Sequence, residues 1–367
     1  NFGEFVIWFI TSGLAWLGLF TAKKYYGIPF LWLIVLLLAF RYYVGSDFDD
    51  YVNLYDHVAL GKLIPVEASY FYISSVLNYF GFNFQAIIAL YAVLTYFFVY
   101  LGLKEVSEDK KIIGVMIFFV YLIFFFPSMS IMRQALAASI VFWGVYRFLF
   151  RRQYLRFLLV IAVSIFFHVS SVVYLLLIPF YLIKPKPLHY LLVIAVAAFL
   201  GFTFVGSLIG YLVDFLGIGF KNYIFQSTPL PPPVFLLNTA IIGIVFLYLV
   251  FSKVRKDYFL LNIIFFILVI RLLSVDFLAL NRVSAGFTLF IVVFATKMVY
   301  ERLSSKSMPI FYILCLILIM TKSFFTATKD YSYYQYSINF CILGDPCPIS
   351  IIGDLPLEEL LTPEVLR

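Results

Sequence analysis

The sequence predicts an all-α polytopic membrane protein, and three observations carry that prediction. Of 367 residues, 64% are hydrophobic and 12% charged, about half the charged fraction that wets a soluble surface. Apolar runs of roughly 17–25 residues recur along the chain, each long enough to cross a hydrocarbon core as a helix. The charged residues cluster in the short segments between those runs. A water-soluble globule is excluded, and nucleic-acid binding has no soluble basic stretch to carry it.

The first run, Val6 to Phe20, is followed by Lys23 and Lys24 and lacks a small-residue cleavage site. It reads as a membrane helix, near 4–20, rather than a removed signal. Helices follow near 27–43, 84–103, 111–126 and 135–150, each bounded by charged flanks. The arms 155–167 and 171–183 are short, about 20 Å each, and read as two thin spans, a re-entrant hairpin or one broken helix. Runs near 189–205, 234–252, 258–275, 283–300 and 308–324 bring the total to about 12 transmembrane or re-entrant helices. The spacing of charges and prolines shows no internal repeat, which gives no support to an inverted-repeat transporter. The bilayer unites the helices into one domain, 1–325, with outward loops 44–83 and 206–233 and an extracytoplasmic tail, 326–367.

Orientation follows from alternate loops. Lys23 and Lys24, Lys104 with Lys110 and Lys111, Arg147 to Arg156, Lys184 and Lys186, Lys253 to Lys256, and Lys297 to Lys306 fall on one side. Most acidic residues fall on the other, so the basic side is cytoplasmic. Cys341 and Cys347 bracket a turn in the outward tail, where an oxidising compartment would permit a disulfide; two free thiols are the alternative. Cys315 lies in an apolar run and reads as packing.

Ionisable groups at membrane depth are costly and therefore informative. Arg41 ends the second helix, Arg133 opens the fifth, and His168 caps a short arm. Arg271 sits in an apolar helix near its outward end, and Arg282 opens the next. All five map to the outer leaflet level. Guanidinium groups bind phosphate oxygens bidentately and stay charged when partly dehydrated, so converging arginines suit a lipid-linked diphosphate. The bland alternative is that each snorkels to headgroups or pairs locally, as Arg282 with Asp276.

If the chain after Arg41 continues as a helical turn, Asp47, Asp50, Tyr51, Leu54 and Tyr55 share one face, and an acid among aromatics can serve as general base. Asp49 and Asp56 read as a solvated acidic loop. Glu67 precedes a short apolar stretch, Tyr70 to Phe80, too brief to span; it either faces the outer cavity or is a helix N-terminal acid. His168 is the one histidine inside an apolar run, either functional or a hydrogen-bonded core residue. Three scattered histidines and no CxxC pair argue against zinc, and no ligand cluster supports another metal. The chain holds no glycine-rich phosphate loop, Gly-x-Ser-x-Gly elbow or His-Glu-x-x-His, which argues against nucleotide-dependent enzymes and proteases.

Arg41 with Val44-Gly45-Ser46-Asp47 and Tyr51, then Glu67, then Met132-Arg133-Gln134-Ala135-Leu136-Ala137, then Phe167-His168-Val169-Ser170, resembles the EpsG branch of Wzy-type polysaccharide polymerases. The start at Asn281-Arg282-Val283 is similar to that family's pattern as well. Ser46 stands where the family usually has Thr, and Ala68 where it has Pro. The resemblance implies a GT-C-like inverting glycosyltransferase of the bacterial inner membrane, acting on its outer face. It would join repeat units linked to undecaprenyl diphosphate, with no cofactor and no metal. Arg133, Arg271 and Arg282, with Arg41 as a second-rank member, would hold the diphosphate. Asp47 and His168, ahead of Glu67, would be the candidates for the base, and Tyr51, Gln134 and Ser170 would line the substrate cavity. Membrane lipids and a chain-length regulator protein are the expected partners. A flippase for the same lipid is the main alternative, a membrane O-acyltransferase a lesser one; a glycan ligase is closest in chemistry.

Overall fold

The computed structural model describes residues 10–15, 27–62 apart from Tyr43 and Ser46, 67–203, 257–274, 281–302, 337–339, 341–343 and 348–350, with isolated positions between 239 and 251 and Ile317. Loop 206–233, Asp276, Cys315 and Cys347, and most of the expected helices near 4–20, 234–252 and 308–324, lie outside the described residues.

Helix α1, Gly27–Ala39, runs into strand β1, Arg41–Tyr42. A turn through Gly45, at φ 105°, leads to α2, Phe48–Ala59; a Cβ on Gly45 would lie 3.2 Å from the Met129 carbonyl oxygen, so both conformation and space favour glycine there. The amphipathic α2 buries Phe48, Tyr51, Tyr55 and Val58. That corrects the expected face: Asp50 is exposed and Leu54 only half-buried, because the three aromatics bury far more apolar area than the acid could. Helix α3, Ala68–Tyr79, covers the short stretch expected to be too brief to span.

Helix α4, Phe84–Val106, begins at Asn83, whose side chain accepts from Gln85 N at 2.9 Å. With 23 residues it is about 35 Å long. Helix α5, Lys110–Val120, continues through a π turn, Tyr121–Phe125, into Phe126–Ser130. A single break at Ile131 separates it from α6, Met132–Gly144. The sequence predicts an outward loop over 127–134, yet nearly all of it is helical. Pro127 is tolerated because the preceding π turn has already displaced the carbonyl ladder into which its ring would clash.

Helix α7, Tyr154–Phe167, ends at His168; a 3₁₀ segment, Val169–Leu176, in contact with α7, then runs into α8, Leu177–Leu182. Helices α9, Pro187–Thr203, α10, Tyr258–Leu273, α11, Asn281–Ala285, and α12, Thr288–Arg302, complete the described helices. Glycine sets the closest approaches. A Cβ on Gly102 would fall 2.4 Å from Phe142 Cδ1, and one on Gly144 2.6 Å from Val160 Cγ1, so α4 meets α6 and α6 meets α7 nearly backbone to side chain.

Two short strands of the tail join β1 in a three-stranded sheet. Strands β2, Ser337–Asn339, and β3, Pro348–Ser350, form an antiparallel hairpin whose first strand pairs with β1, Arg41 opposite Ile338. Asn83 Nδ2 donates to the Cys341 carbonyl at 2.9 Å, and Asn83 N to that of Ile342 at 3.0 Å. Cys341 is disulfide-bonded.

Among the described residues, Phe84–Val106 and Lys111–Ser130 have the length and apolarity to cross a membrane, and six apolar helices of 10–17 residues accompany them. On α7 and α9, Leu155, Leu159, Val163, Leu192, Val196 and Phe199 form exposed apolar faces, which suit lipid and not water. The protein is a membrane protein.

Candidate active site

The break at Ile131 turns α6 so that Arg133, on its first turn, meets two elements far away in sequence. Its Nη1 donates to Glu67 Oε2 in a charged pair. The other oxygen of the same carboxylate, Oε1, accepts from His168 Nδ1 at 2.7 Å. Glu67 is the N-cap residue of α3 but makes no side-chain cap bond; the carboxylate is committed across the interface instead. A carboxylate offers only lone pairs, so Nδ1 carries a proton, and in the neutral imidazole it is Nε2 that holds the lone pair. Burial raises the Glu67 carboxyl, but the hydrogen bond from His168 and the charge of Arg133 outweigh it and hold the group below its ordinary value.

Two tyrosines brace the guanidinium. The Arg133 Cζ lies 5.5 Å from the Tyr51 ring centroid and 5.7 Å from that of Tyr70, contacts each worth about 0.5–2 kcal/mol. Tyr70 donates its hydroxyl to the Tyr51 carbonyl at 2.7 Å, and Tyr51 donates to the Ser130 carbonyl at 3.1 Å, beside the helix break. Ser69 and Tyr91 join their hydroxyls behind them at 3.4 Å. The side chains of Arg133, Glu67 and His168 remain 22%, 12% and 25% exposed, so a ligand can reach them. Tyr51 is only 4% exposed and stands behind the arginine.

The remaining predicted residues take different places. Asp47 precedes α2, half-buried, and its charge acts with burial to push the Tyr51 phenol up, against the charges of Arg133 and Arg41. Arg41 is 1% exposed and donates from Nη2 to the Met129 carbonyl at 2.6 Å, while Gln85 Nε2 holds the Ala39 and Arg41 carbonyls at 2.7 and 3.1 Å. Gln134 is buried, and its Nε2 donates to the Arg282 carbonyl at 2.7 Å, tying α6 to α11; the Arg282 side chain is exposed. Arg271 is half-buried in the last turn of α10, where Ser274 Oγ accepts its place as cap by donating to the Arg271 carbonyl at 2.9 Å. Ser170 is half-buried two residues beyond His168. Among the described residues no group of three or more His, Cys, Asp or Glu could hold a metal ion.

Tyr70 is the residue that sequence reasoning missed. Its signal was present: three positions after Glu67 at a helix start, it lies on the same face as the acid.

The ordered motifs that carry Arg133, Glu67 and His168 lie within the match to one family model, EpsG, over residues 23–338. The chain belongs to the EpsG family. No curated protein and no solved structure matches it. Membership of the EpsG family gives the coarse function, a polysaccharide polymerase of glycosyltransferase type in a membrane.

Proposed function

We propose that this protein polymerises glycan repeat units by inverting transfer from undecaprenyl diphosphate to a sugar hydroxyl of another lipid-linked unit. The carrying observation is the single carboxylate of Glu67, shared between Arg133 and His168. It sets an anion-binding group and a base with a free lone pair on either side of one acid, which is what a displacement at the anomeric carbon needs.

In this reading Arg133 takes the diphosphate, with Arg271 and Arg282 as further donors at the same depth. Their charges stabilise the leaving oxygen as negative charge builds on it. His168 Nε2 accepts the proton of the acceptor hydroxyl, its oxygen forms the new bond to the anomeric carbon from the opposite face, and the bond to the diphosphate oxygen breaks. Glu67 fixes the tautomer of His168 and offsets the positive charge that forms on it. Asp47, at the edge of the Tyr51 shelf, contacts the acceptor sugar rather than its proton. The setting is a GT-C-like bundle of about 12 transmembrane or re-entrant helices in the bacterial inner membrane, open outward, with membrane lipids and a chain-length regulator as partners. The disulfide at Cys341, in a tail paired with β1, supports the outward side for Arg41 and its neighbours.

The test is purified protein with undecaprenyl-diphosphate oligosaccharide, without metal or nucleotide, resolved as a ladder on a gel. The reading expects a ladder that disappears in Arg133→Ala. No ladder, with lipid instead crossing proteoliposome bilayers, would make the cluster a transport site and overturn it.

A further inference from the structure

The pairing of Arg133 has a chemical cost for any anion that approaches it. A guanidinium grips a phosphate with two N–H groups along one edge. The Nε of Arg133 is buried and without a hydrogen-bond partner, and the Tyr51 and Tyr70 rings crowd the group at 5.5 and 5.7 Å. A ligand therefore reaches the guanidinium at its Nη1–Nη2 end. Nη1 is the atom Glu67 already holds. The two tyrosines limit how the guanidinium can tilt, so the phosphate and the carboxylate contend for the same edge. They also carry the same sign of charge at close range, and the carboxylate has a second partner in His168 to keep it in place.

We propose that Glu67 competes with the donor diphosphate for Arg133, so that donor binding opens the Arg133–Glu67 pair and leaves the carboxylate to His168 alone. The proposal rests on the reading that Arg133 takes the diphosphate. Glu67 is then a positioning residue with two opposed effects. It weakens donor binding and strengthens the base, and it serves the base fully only when a donor is present. The donor binds first, and an acceptor hydroxyl that arrives without one meets a weaker base.

The discriminating measurement is affinity set beside turnover. Binding of farnesyl diphospho-N-acetylglucosamine, a diphosphate diester whose two charges are fixed near neutral pH, is measured for the full chain in detergent. Wild type is compared with Glu67→Gln, Glu67→Asp and Arg133→Gln. Glu67→Gln is expected to bind the probe about 5-fold or more tighter, within the usual span of coupling between two sites, while elongation falls about 100-fold, the scale of a lost base. Glu67→Asp withdraws the carboxylate by one methylene and is expected to fall between the two in affinity; it carries the test where Glu67→Gln is not recovered folded. A residue that merely supported the fold would lose affinity and turnover together. Binding that is unchanged or weaker in both Glu67 variants, and lost in Arg133→Gln, overturns the competition and leaves the diphosphate at Arg133. Binding in Arg133→Gln equal to wild type removes the diphosphate from Arg133, and both readings fall.

Discussion

Arg41 and Arg133 are the same residue type, each beside a break at the end of a helix, and the structure uses them in opposite ways. Arg41 is 1% exposed and donates from Nη2 to the Met129 carbonyl, where α5 gives way to α6. Arg133, four residues beyond that carbonyl, is 22% exposed and faces a carboxylate that it shares with a histidine. One arginine bonds the break together; the other is displayed by it. Charge near a helix end does not make a binding site, and what separates the two is burial, 1% exposed for Arg41 against 22% for the side chain of Arg133.

The comparison breaks first at Arg133. Arg133→Ala is expected to abolish the ladder while leaving the amount of protein in the membrane unchanged, and elongation by that variant would move the site elsewhere. His168→Gln comes next, with an expected loss of about 100-fold in kcat and little change in donor affinity; Asp47→Asn is expected to lose less and mainly in acceptor KM. Equal small losses in the two would demote His168 as base. Arg271→Lys keeps the charge and loses the fork, and a drop of about 10-fold in kcat/KM is expected if it touches phosphate.

Arg41→Met sharpens the contrast from the other side. It retains the stem but strips the Met129 carbonyl of its donor, which costs about 1–3 kcal/mol for a buried acceptor left unmade. A lowered thermal midpoint with near-normal activity per folded molecule is the expected result, and lost activity in a fully stable variant would return Arg41 to the site. The smallest effect concerns acid. The Glu67 carboxyl is held below its ordinary value of 4.5, so its contribution to stability is complete above that value and is lost as pH falls through the depressed folded-state value. Melting curves taken below about pH 4.5 are expected to fall more steeply for wild type than for Glu67→Gln, the variant lacking that titration.

The place of Arg133 and Arg271 in terminal helix turns was legible in the sequence, because burying charge is costly. Contact was not. Nothing in the run from Glu67 to Tyr79 says whether the acid caps its own helix or reaches α6, since that depends on α3 docking against segments 66 and 101 residues away in sequence. The acidic face of α2 was misread for a related reason: helical periodicity puts Asp50 beside Tyr51 and Leu54, but the packing partner selects which side of the helix turns inward. The need for glycine at Gly102 and Gly144 is set by the facing Phe142 and Val160, which the local sequence does not reveal. The strand pairing of Arg41 with Ile338 left no periodic trace, being too short to show alternation.

That pairing bears on how the protein is made. β1 emerges early in synthesis, and its partner strand is synthesised hundreds of residues later, after every described helix of the bundle. The β1 edge stays without β2 until the tail has been made, so the three-stranded sheet closes last in biogenesis. A chain stalled before residue 337 holds Arg133, Glu67 and His168 but has no β2 to lay against β1, and the order of synthesis itself delays that pairing until the bundle's described helices have been made.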